Sequence, residues 1–450
     1  MQEKTTVIGL ADHKKFMALA VPLTIATLTT PLLGVVDTAI MGRLPQAAYI
    51  GGVSIAVLIF NTLYWVLGFL RVSTSGFSAQ ASGTGDKQKI TLALLRPMVI
   101  AVSLGMLIVA LQWPIKEIAF ALLAPNETVG AIASAYYDIR VWSAPFTLGN
   151  YVVVGWLMGM AKVKLSLALQ VFMNVLNMLL AVLFVAGFGL AAEGVAAATL
   201  IAEIAAAIVS AVILLRTGAI DLQQLSVKLV IDPAAFIQMM KVNRDLFIRT
   251  ACLLAVYNCL AAYGLRYGDT ILAANAVLMQ LHFVMAYFLS GFANAGTVLV
   301  GQAVGEKNEG LYVGTVRLTA FWGGVTAILL TAIVLLFKMP LIAMFTTIVE
   351  VQQAALQYIF WIALFPPAAF WGLELYGVFV GATLAAPVRN SLVFSLITFF
   401  ICLWLAVPGM GNHGIWLAFT VFSLGRSVFL WIYLPGLDRR MAQMAVKGVR

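Results

Sequence analysis

The sequence has few charged residues. Of its 450 residues, 10% are Asp, Glu, Lys or Arg, whereas a soluble globular protein carries about 25%. Hydrophobic residues make up 62%, and the mean hydropathy is +1.01. So few charges leave too little polar surface to cover a water-exposed body of this size, which excludes a separate soluble domain. Apolar stretches long enough to span a bilayer recur along the chain, and we predict a polytopic membrane protein.

Cysteine and histidine are also scarce, with three of each. The cysteines lie in apolar segments and form no CxxC pair, so we expect buried structural thiols. The histidines show no metal-ligand spacing, and the sequence shows no nucleophile–base pair at membrane depth. We therefore predict no metal site, no cofactor and no enzyme activity. The formal charge of +9 is scattered over loops and termini, which indicates topology and not a nucleic-acid partner.

Hydropathy and helix-breaking residues predict twelve transmembrane helices. Their approximate ranges are 16–41, 51–76, 92–112, 129–155, 164–186, 190–214, 243–264, 272–300, 312–337, 350–379, 389–407 and 413–435. With the N-terminus inside, the outer loops hold only Arg43, Lys116, Arg266 and Lys338, and the inner segments hold most other basic residues. This distribution predicts a cell (inner) membrane protein with both termini in the cytoplasm. We expect no cleaved signal peptide.

The two halves of the chain resemble each other when Gly42 is aligned with Gly264, which we call the repeat alignment. Without gaps, it also pairs Gln80 with Gln302, Gly83 with Gly305, Pro145 with Pro367, Gly155 with Gly377, and Gly159 with Gly381. We predict an N-lobe of residues 1–214, a cytoplasmic linker of 215–242 and a C-lobe of 243–450. Since each lobe has six spans, the two are parallel repeats. The paired GxxxG motifs favour close internal packing over dimerisation, and we expect a monomer.

A single carboxylate interrupts helix 1, in the segment "PLLGVVDTAIMGRL". The three residues on either side of Asp37 include no basic one, and a carboxylate within a span is costly unless it has a function. Three further polar residues, Tyr136, Asn177 and Thr199, fall at a similar depth, about 8–15 Å below the outer surface at 1.5 Å per residue. These residues predict a polar cavity in the N-lobe, in which Asp37 carries the proton. Two further candidates for this cavity are Asn150 and Asn174.

Other ionisable residues compete with Asp37. Glu203, in the middle of helix 6, is the strongest rival, and Arg140 in helix 4 is a second candidate. Glu374, Arg71 and Arg249 fall near the cytoplasmic ends of helices, where we expect snorkelling or gating pairs.

The chain resembles the multidrug and toxic compound extrusion (MATE) transporters of the DinF-like branch. The resemblance rests on "PLLGVVDTAIMGRL" in helix 1, "AQASGTGD" after helix 2, "IRVWSAPFTLGNYVVVGWLMG" in helix 4 and "GVAAATLIAE" in helix 6. It implies two six-helix lobes in a V shape, a drug-binding cleft and cation-driven antiport. Asp37 matches the helix-1 acid central to coupling. Asn177 and Thr199 match polar residues of the N-lobe cavity, and Tyr136 also has a match there.

The resemblance is incomplete in helix 5. Relatives often carry a second acid four residues after the helix-5 asparagine, whereas this chain has Ala181 there. A Na⁺ site needs several oxygen ligands, whereas proton exchange needs one carboxylate. We therefore expect a proton-coupled exporter of organic, mostly cationic and amphipathic, compounds. The alternatives are Na⁺ coupling and a flippase of lipids or lipid-linked sugars. A flippase for anionic lipids would favour an Arg-rich cleft, and Arg at mid-depth is scarce in the sequence.

Overall fold

The computed structural model describes residues 9–41, 47–216, 218 and 226–448, without the side chains of residues 10, 11, 29–41, 47, 447 and 448. Every regular element in these ranges is helical. The α-helices are Leu10–Met41 (α1), Ala47–Leu67 (α2), Phe69–Thr84 (α3), Lys87–Ala110 (α4), Gln112–Leu123 (α5), Glu127–Arg140 (α6), Ala144–Gly159 (α7), Val163–Val182 (α8), Ala192–Arg216 (α9), Val227–Val230 (α10), Pro233–Leu265 (α11), Asp269–Glu306 (α12), Glu309–Leu336 (α13), Lys338–Ala343 (α14), Val349–Gly381 (α15), Ala385–Met410 (α16), Asn412–Trp431 (α17) and Leu434–Gly448 (α18).

The helices match the predicted spans. In the described ranges, ten helical stretches are long and apolar enough to cross a membrane. The twelve predicted spans correspond to α1, α2 with α3, α4, α6 with α7, α8, α9, α11, α12, α13, α15, α16 and α17. The prediction of an all-helical polytopic membrane protein is confirmed.

Two predicted helices are interrupted in the structure. The second predicted span breaks at Gly68, between α2 and α3. The fourth breaks at a 3₁₀ turn, Val141–Ser143, between α6 and α7. Pro145 follows this turn and has no N–H to donate to the carbonyl of Val141, so a regular α-helical hydrogen bond cannot form there. The interruption redirects the chain between Arg140 and Asn150, two candidate site residues.

The predicted linker is partly helical. α11 begins at Pro233, a residue that favours the first turn of a helix because its missing N–H has no helical partner there. The side chain of Asp232 accepts a hydrogen bond from the backbone N–H of Ala234 at 3.2 Å. These residues extend the first helix of the second half well beyond the predicted start at residue 243.

The helices form two compact units. Thr29–Met239 forms the first, which we call the N-terminal unit, and the parts of the chain on either side form the second, the C-terminal unit. The beginning of α1 packs with the C-terminal unit: the rings of Phe16 and Phe292 stack at 6.5 Å, and Thr27 Oγ1 donates to the carbonyl of Tyr287 at 3.1 Å. The unit boundary therefore lies within α1, whereas the predicted N-lobe includes the whole helix.

The backbone conformation recurs at positions that the repeat alignment pairs. Three such pairs all have a positive φ: Gly85 and Lys307 (66° and 55°), Ala161 and Thr383 (56° and 54°), and Gly189 and Gly411 (69° and 55°). Residues other than Gly rarely adopt this left-handed backbone conformation. Its recurrence at Lys307, Ala161 and Thr383 indicates that the two halves share the same turns.

Helix packing recurs under the same alignment. A methyl group added at Gly155 would lie less than 3.0 Å from the carbonyl oxygen of Arg71. A methyl group added at Gly377 would also lie less than 3.0 Å from a carbonyl oxygen, that of Ala293. The repeat alignment also pairs Arg71 with Ala293. Gly159 and Gly381 approach the carbonyls of Ser75 and Thr297 in the same way. The GxxxG motifs therefore pack helices within each unit, as predicted.

Candidate functional site

Asp37 lies in α1, four residues before the helix ends at Met41. Its side chain is outside the described part of the chain. The assignment of proton coupling to Asp37 therefore stays a prediction from the sequence. The other candidate residues all have described side chains.

The candidate residues of the N-terminal unit converge on α9. Thr199 and Glu203 are four residues apart on this helix, so their side chains share one face. Helices α6, α7 and α8 all pack against α9. Arg140 lies on α6, Asn150 on α7 and Asn177 on α8, so each of these residues is on a helix that contacts α9.

Asn150 and Glu203 form a buried polar pair in this site. The Nδ2 atom of Asn150 donates to Glu203 Oε2 at 2.7 Å and to the Glu203 backbone carbonyl at 3.0 Å. The two residues are 5% and 9% exposed, respectively. Thr147, one turn before Asn150 on α7, also interacts with the Glu203 carboxyl. A buried carboxyl held by two neutral partners can keep or exchange a proton without losing its position.

Arg140 provides the positive charge of the site. It donates a hydrogen bond to the hydroxyl of the buried Tyr136, and its guanidinium lies 5.2 Å from the ring centroid of Phe60. Its charge acts on both Glu203 and Tyr64. Arg140 and Glu203 thus partly compensate each other electrostatically.

Asn177 and Thr199 form a second polar pair. Asn177 Nδ2 donates to Thr199 Oγ1 at 2.9 Å, and Thr199 Oγ1 donates to the carbonyl of Val195 at 3.1 Å. Asn174 is half-buried one turn before Asn177 on α8.

Two amide oxygens in this site are available to a ligand. Within the described ranges, the buried Oδ1 atoms of Asn150 and Asn177 accept no hydrogen bond from the protein. An unsatisfied buried acceptor is unfavourable, so each oxygen can accept from a bound donor or water. The N-terminal unit therefore presents two acceptor oxygens near a buried carboxyl, a combination suited to a cationic or hydrogen-bond-donating ligand.

The sequence analysis missed Tyr64 and Ser143. The Tyr64 hydroxyl lies 3.4 Å from Ser143 Oγ, and both residues are buried. Ser143 belongs to the 3₁₀ turn before Pro145, and that proline is the one sequence signal that could have pointed to this interruption. Tyr64 lies in an apolar helix with no local signal.

The sequence-based prediction for Glu374 is wrong. Its side chain is 0% exposed, so it does not snorkel to an interface. A methyl group added at Gly323 on α13 would lie 2.9 Å from Glu374 Oε1, which shows that the missing side chain of Gly323 makes room for the carboxyl. Among the described residues, neither carboxyl oxygen has a hydrogen-bond partner.

The described ranges contain no group of three or more His, Cys, Asp or Glu side chains that could hold a metal ion.

The family of the chain follows from a family model. The MatE model matches residues 22–183 and 247–405, which fall in the two repeats described above. The chain belongs to the MatE family. DNA damage-inducible protein F of Escherichia coli strain K12 is 35% identical over 422 residues, covering 93% of this chain and 91% of the relative. The predicted resemblance to MATE transporters is therefore confirmed, and this chain is a multi-pass membrane transporter of that family.

Other relatives and solved structures agree with this assignment. The chloroplastic protein DETOXIFICATION 44 of Arabidopsis thaliana is 25% identical and covers 92% of this chain and 80% of its own length. A MATE structure in the bent conformation superimposes with a TM-score of 0.87 at 17% identity, covering 97% of each chain. An outward-facing MATE family transporter gives a TM-score of 0.85 at 18% identity, covering 96% of each chain. These similarities between structures support the fold.

The hydrogen bond between Asn150 and Glu203 should stabilise the N-terminal unit. Asn150→Ala removes the Nδ2 donor, which lies 2.7 Å from Glu203 Oε2, and leaves the buried Glu203 carboxyl without this hydrogen bond. We expect a loss of about 1–3 kcal/mol, the usual cost of a buried polar group left without its partner. Thermal unfolding of purified protein in detergent measures this loss as a lower midpoint. Asn174→Ala is the matched control, because it removes the same side chain from a half-buried position. Equal midpoints for the two variants would contradict a stabilising role.

Proposed function

We propose that this chain exports organic cations in exchange for protons, by alternating access. The observation that carries the proposal is the buried polar face of α9, where Glu203 and Thr199 hold Asn150 and Asn177 in fixed orientations. Their free amide oxygens favour a ligand that donates hydrogen bonds or carries positive charge. The buried rings of Phe60, Tyr64 and Tyr136 offer apolar surface in the same unit.

We assign proton exchange to Asp37 and a supporting role to Glu203. Glu203 has a neutral donor in Asn150, and the charge of Arg140 partly compensates its own. The three residues on either side of Asp37 include no basic one, and an intramembrane acid in this setting is a common proton carrier. Protonation of either acid removes one negative charge, but at Glu203 it also loses the attraction of Arg140, which opposes the change.

The absence of a second carboxylate at position 181 of α8 also favours proton coupling. Ala181 is fully buried at the position where relatives often carry an acid. A Na⁺ ion at this site would need further oxygen ligands in place of that acid, whereas one exchanging carboxylate suffices for a proton. We further propose that the protein works as a monomer in the cell membrane, with both termini in the cytoplasm, as the distribution of basic residues suggests.

Transport in proteoliposomes tests this proposal. We expect vesicles with an acidic interior to accumulate ethidium, and an equal Na⁺ gradient directed outward to drive no accumulation. Ethidium carries a permanent charge, so a pH gradient alone does not trap it as it traps weak bases. Valinomycin with equal K⁺ on both sides clamps the membrane potential, and protein-free vesicles measure leakage. Accumulation driven by Na⁺ alone would contradict proton coupling and support the Na⁺ alternative.

A further inference from the structure

The C-terminal unit contains two arginines on its membrane-length helices that pack near one another along α15. Arg249 lies on α11 and is half-buried, and Arg426 lies on α17 and is 6% exposed. The charge of Arg249 acts on Arg426. The Arg249 guanidinium lies 4.3 Å from the ring centroid of Tyr376, and that of Arg426 lies 5.8 Å from the ring centroid of Phe422. α15 connects the two: Tyr376 lies beside Arg249, and a methyl group added at Gly372, one turn earlier, would lie 3.0 Å from the backbone carbonyl carbon of Arg426.

These two arginines have no counter-ion in the described part of the chain. Neither forms an ion pair or a hydrogen bond there, and the buried Nε of Arg249 has no acceptor. Asp245, one turn before Arg249, binds Arg244 and Arg389 at 2.9 and 2.8 Å. Charged side chains inside membrane proteins normally pair with each other or mark a pathway for a substrate or ion. An uncompensated pair is costly unless a ligand supplies the negative charge.

The residues around the pair are aromatic or neutral. Tyr257 lies within the electrostatic reach of both arginines, and its hydroxyl is 3.3 Å from His282 Nε2. The buried His282 ring lies 4.2 Å from Phe365 and 4.9 Å from Phe419, measured between ring centroids. This environment provides apolar contact for a ligand, and no carboxylate of the described residues acts on Arg426.

We propose that Arg249 and Arg426 form a binding site for an amphipathic organic anion. Guanidinium groups bind carboxylate or sulfonate oxygens through paired hydrogen bonds, with the directionality that a Lys ammonium lacks. The anionic group lies between the two guanidiniums, and the apolar body of the ligand packs against the aromatic side chains of this unit. The ligand neutralises the arginine pair and satisfies the Nε of Arg249. The site lies in a different unit from the proposed cation site.

The sequence alone did not predict this pair of arginines. Arg at mid-depth is scarce along the sequence, and Arg249 and Arg426 lie far apart in it, on the first and last long helices of the second half. Folding of the C-terminal unit brings them together. A pair of arginines suffices for one anionic group, so a cleft rich in Arg is not required.

Equilibrium dialysis of the purified full chain tests the proposal. The probe is radiolabelled naphthalene-2-sulfonate, and its neutral analogue is naphthalene-2-sulfonamide, with protein-free micelles as the blank. We expect the sulfonamide to bind at least tenfold more weakly, because charge-assisted hydrogen bonds to both arginines are lost. Arg426→Gln and Arg249→Gln should each weaken sulfonate binding by about tenfold or more.

Arg266→Gln is the matched control for these variants. Arg266 also lies over a tyrosine ring, 4.5 Å from the centroid of Tyr263, but it is exposed at the end of α11. This variant should bind the sulfonate as the unaltered protein does. If Arg426→Gln fails to fold, Arg426→Lys takes its place in the binding assay. The thermal midpoint of the unaltered chain gives a second measurement: the sulfonate should raise this midpoint and the sulfonamide should not.

Two results would overturn the anion site. One is equal binding, or equal thermal stabilisation, by the sulfonate and the sulfonamide. The other is equal loss of binding in Arg266→Gln and Arg426→Gln. Nanodiscs distinguish two sources of the anion. Competition by phosphatidylglycerol but not by phosphatidylcholine would support the site with a lipid headgroup as its occupant. Unchanged sulfonate binding in both lipids would support it with a free organic anion.

Discussion

Asp37→Asn should abolish proton-driven export of organic cations while the protein still folds and inserts. Asn has nearly the same shape as Asp and resembles its protonated form. When Asp37 is ionised, the site attracts a cation; when a proton enters from outside, this attraction is lost and the cation is released. Asn cannot alternate between these two states, so the proton gradient can no longer change the affinity for the substrate.

The size of this effect can be estimated from Coulomb's law. At about 4 Å and an effective dielectric constant near 20, a pair of unit charges attracts by roughly 4 kcal/mol, before desolvation reduces it. Even half of this corresponds to more than a tenfold change in affinity, since about 1.4 kcal/mol is a factor of ten. We therefore expect the Asn variant to bind cations at least tenfold more weakly, and its binding to be insensitive to pH. Asp37→Glu, which keeps the charge, should retain part of the transport.

Asp138→Asn is the control for the loss of an acid from the same unit. Asp138 is exposed and forms an ion pair with Lys116 at 2.8 Å. The Asp138 carboxylate is 52% exposed and contacts none of the polar residues of the site, so this variant should lose the ion pair but transport as the unaltered protein does. Ethidium transport in proteoliposomes at equal protein content compares the three proteins. Should Asp37→Asn export ethidium with an unchanged pH dependence, Asp37 would be structural and Glu203 would become the leading proton carrier.

Gly377→Ala should strongly destabilise the C-terminal unit. Its added methyl group would lie less than 3.0 Å from the carbonyl oxygen of Ala293, a backbone atom that cannot rotate away. Separating α12 from α15 would relieve this overlap but would also break the hydrogen bond from Thr297 Oγ1 to the Gly377 carbonyl, now 3.0 Å long. Overpacking of this kind costs typically about 1–3 kcal/mol, and more where the backbone cannot adjust. Thermal unfolding in detergent should show a clearly lower midpoint.

The control for this substitution is Gly314→Ala. Gly314 lies within α13, and an added methyl group there meets no atom within 4 Å. Because Ala favours helices over Gly by roughly 0.5–1 kcal/mol, this variant should unfold at the same temperature or higher. Gly155→Ala, at the equivalent position of the N-terminal unit, should behave like Gly377→Ala. If all three variants unfolded at the same temperature, the close approach of these helices would not contribute to stability.

The sequence predicted the helices and their repeat because both depend on local or periodic features. Long apolar runs located the spans, and the Gly and Pro positions indicated the repeat alignment at which the backbone conformation also recurs. The break at Val141–Ser143 was not predicted, although Pro145 was known. An intramembrane proline can either kink a helix or be accommodated, and α15 accommodates both Pro366 and Pro367 without a break.

The orientation of each helix about its own axis was harder to predict. In a soluble protein, polar residues identify the face that points to water, but in a membrane the face toward lipid and the face toward other helices are both apolar. Glu374 and Tyr376 are only two residues apart on α15, and the sequence could not show that Glu374 packs against Gly323 while Tyr376 contacts Arg249. Asn150 and Glu203 were candidates individually, but their hydrogen bond depends on two helix orientations at once.

The unit boundary within α1 affects the order in which the protein can assemble during its synthesis. The N-terminal unit is a continuous stretch of chain and can complete its contacts as it is inserted. The start of α1 has partners that are made much later: Thr27 and Tyr287 are 260 residues apart. At roughly 5–20 residues per second, the ribosome takes about 13–50 seconds to make that stretch. During this interval the apolar surface of Phe16 and its neighbours has no native partner, so lipid or the insertion machinery must cover it until α12 arrives.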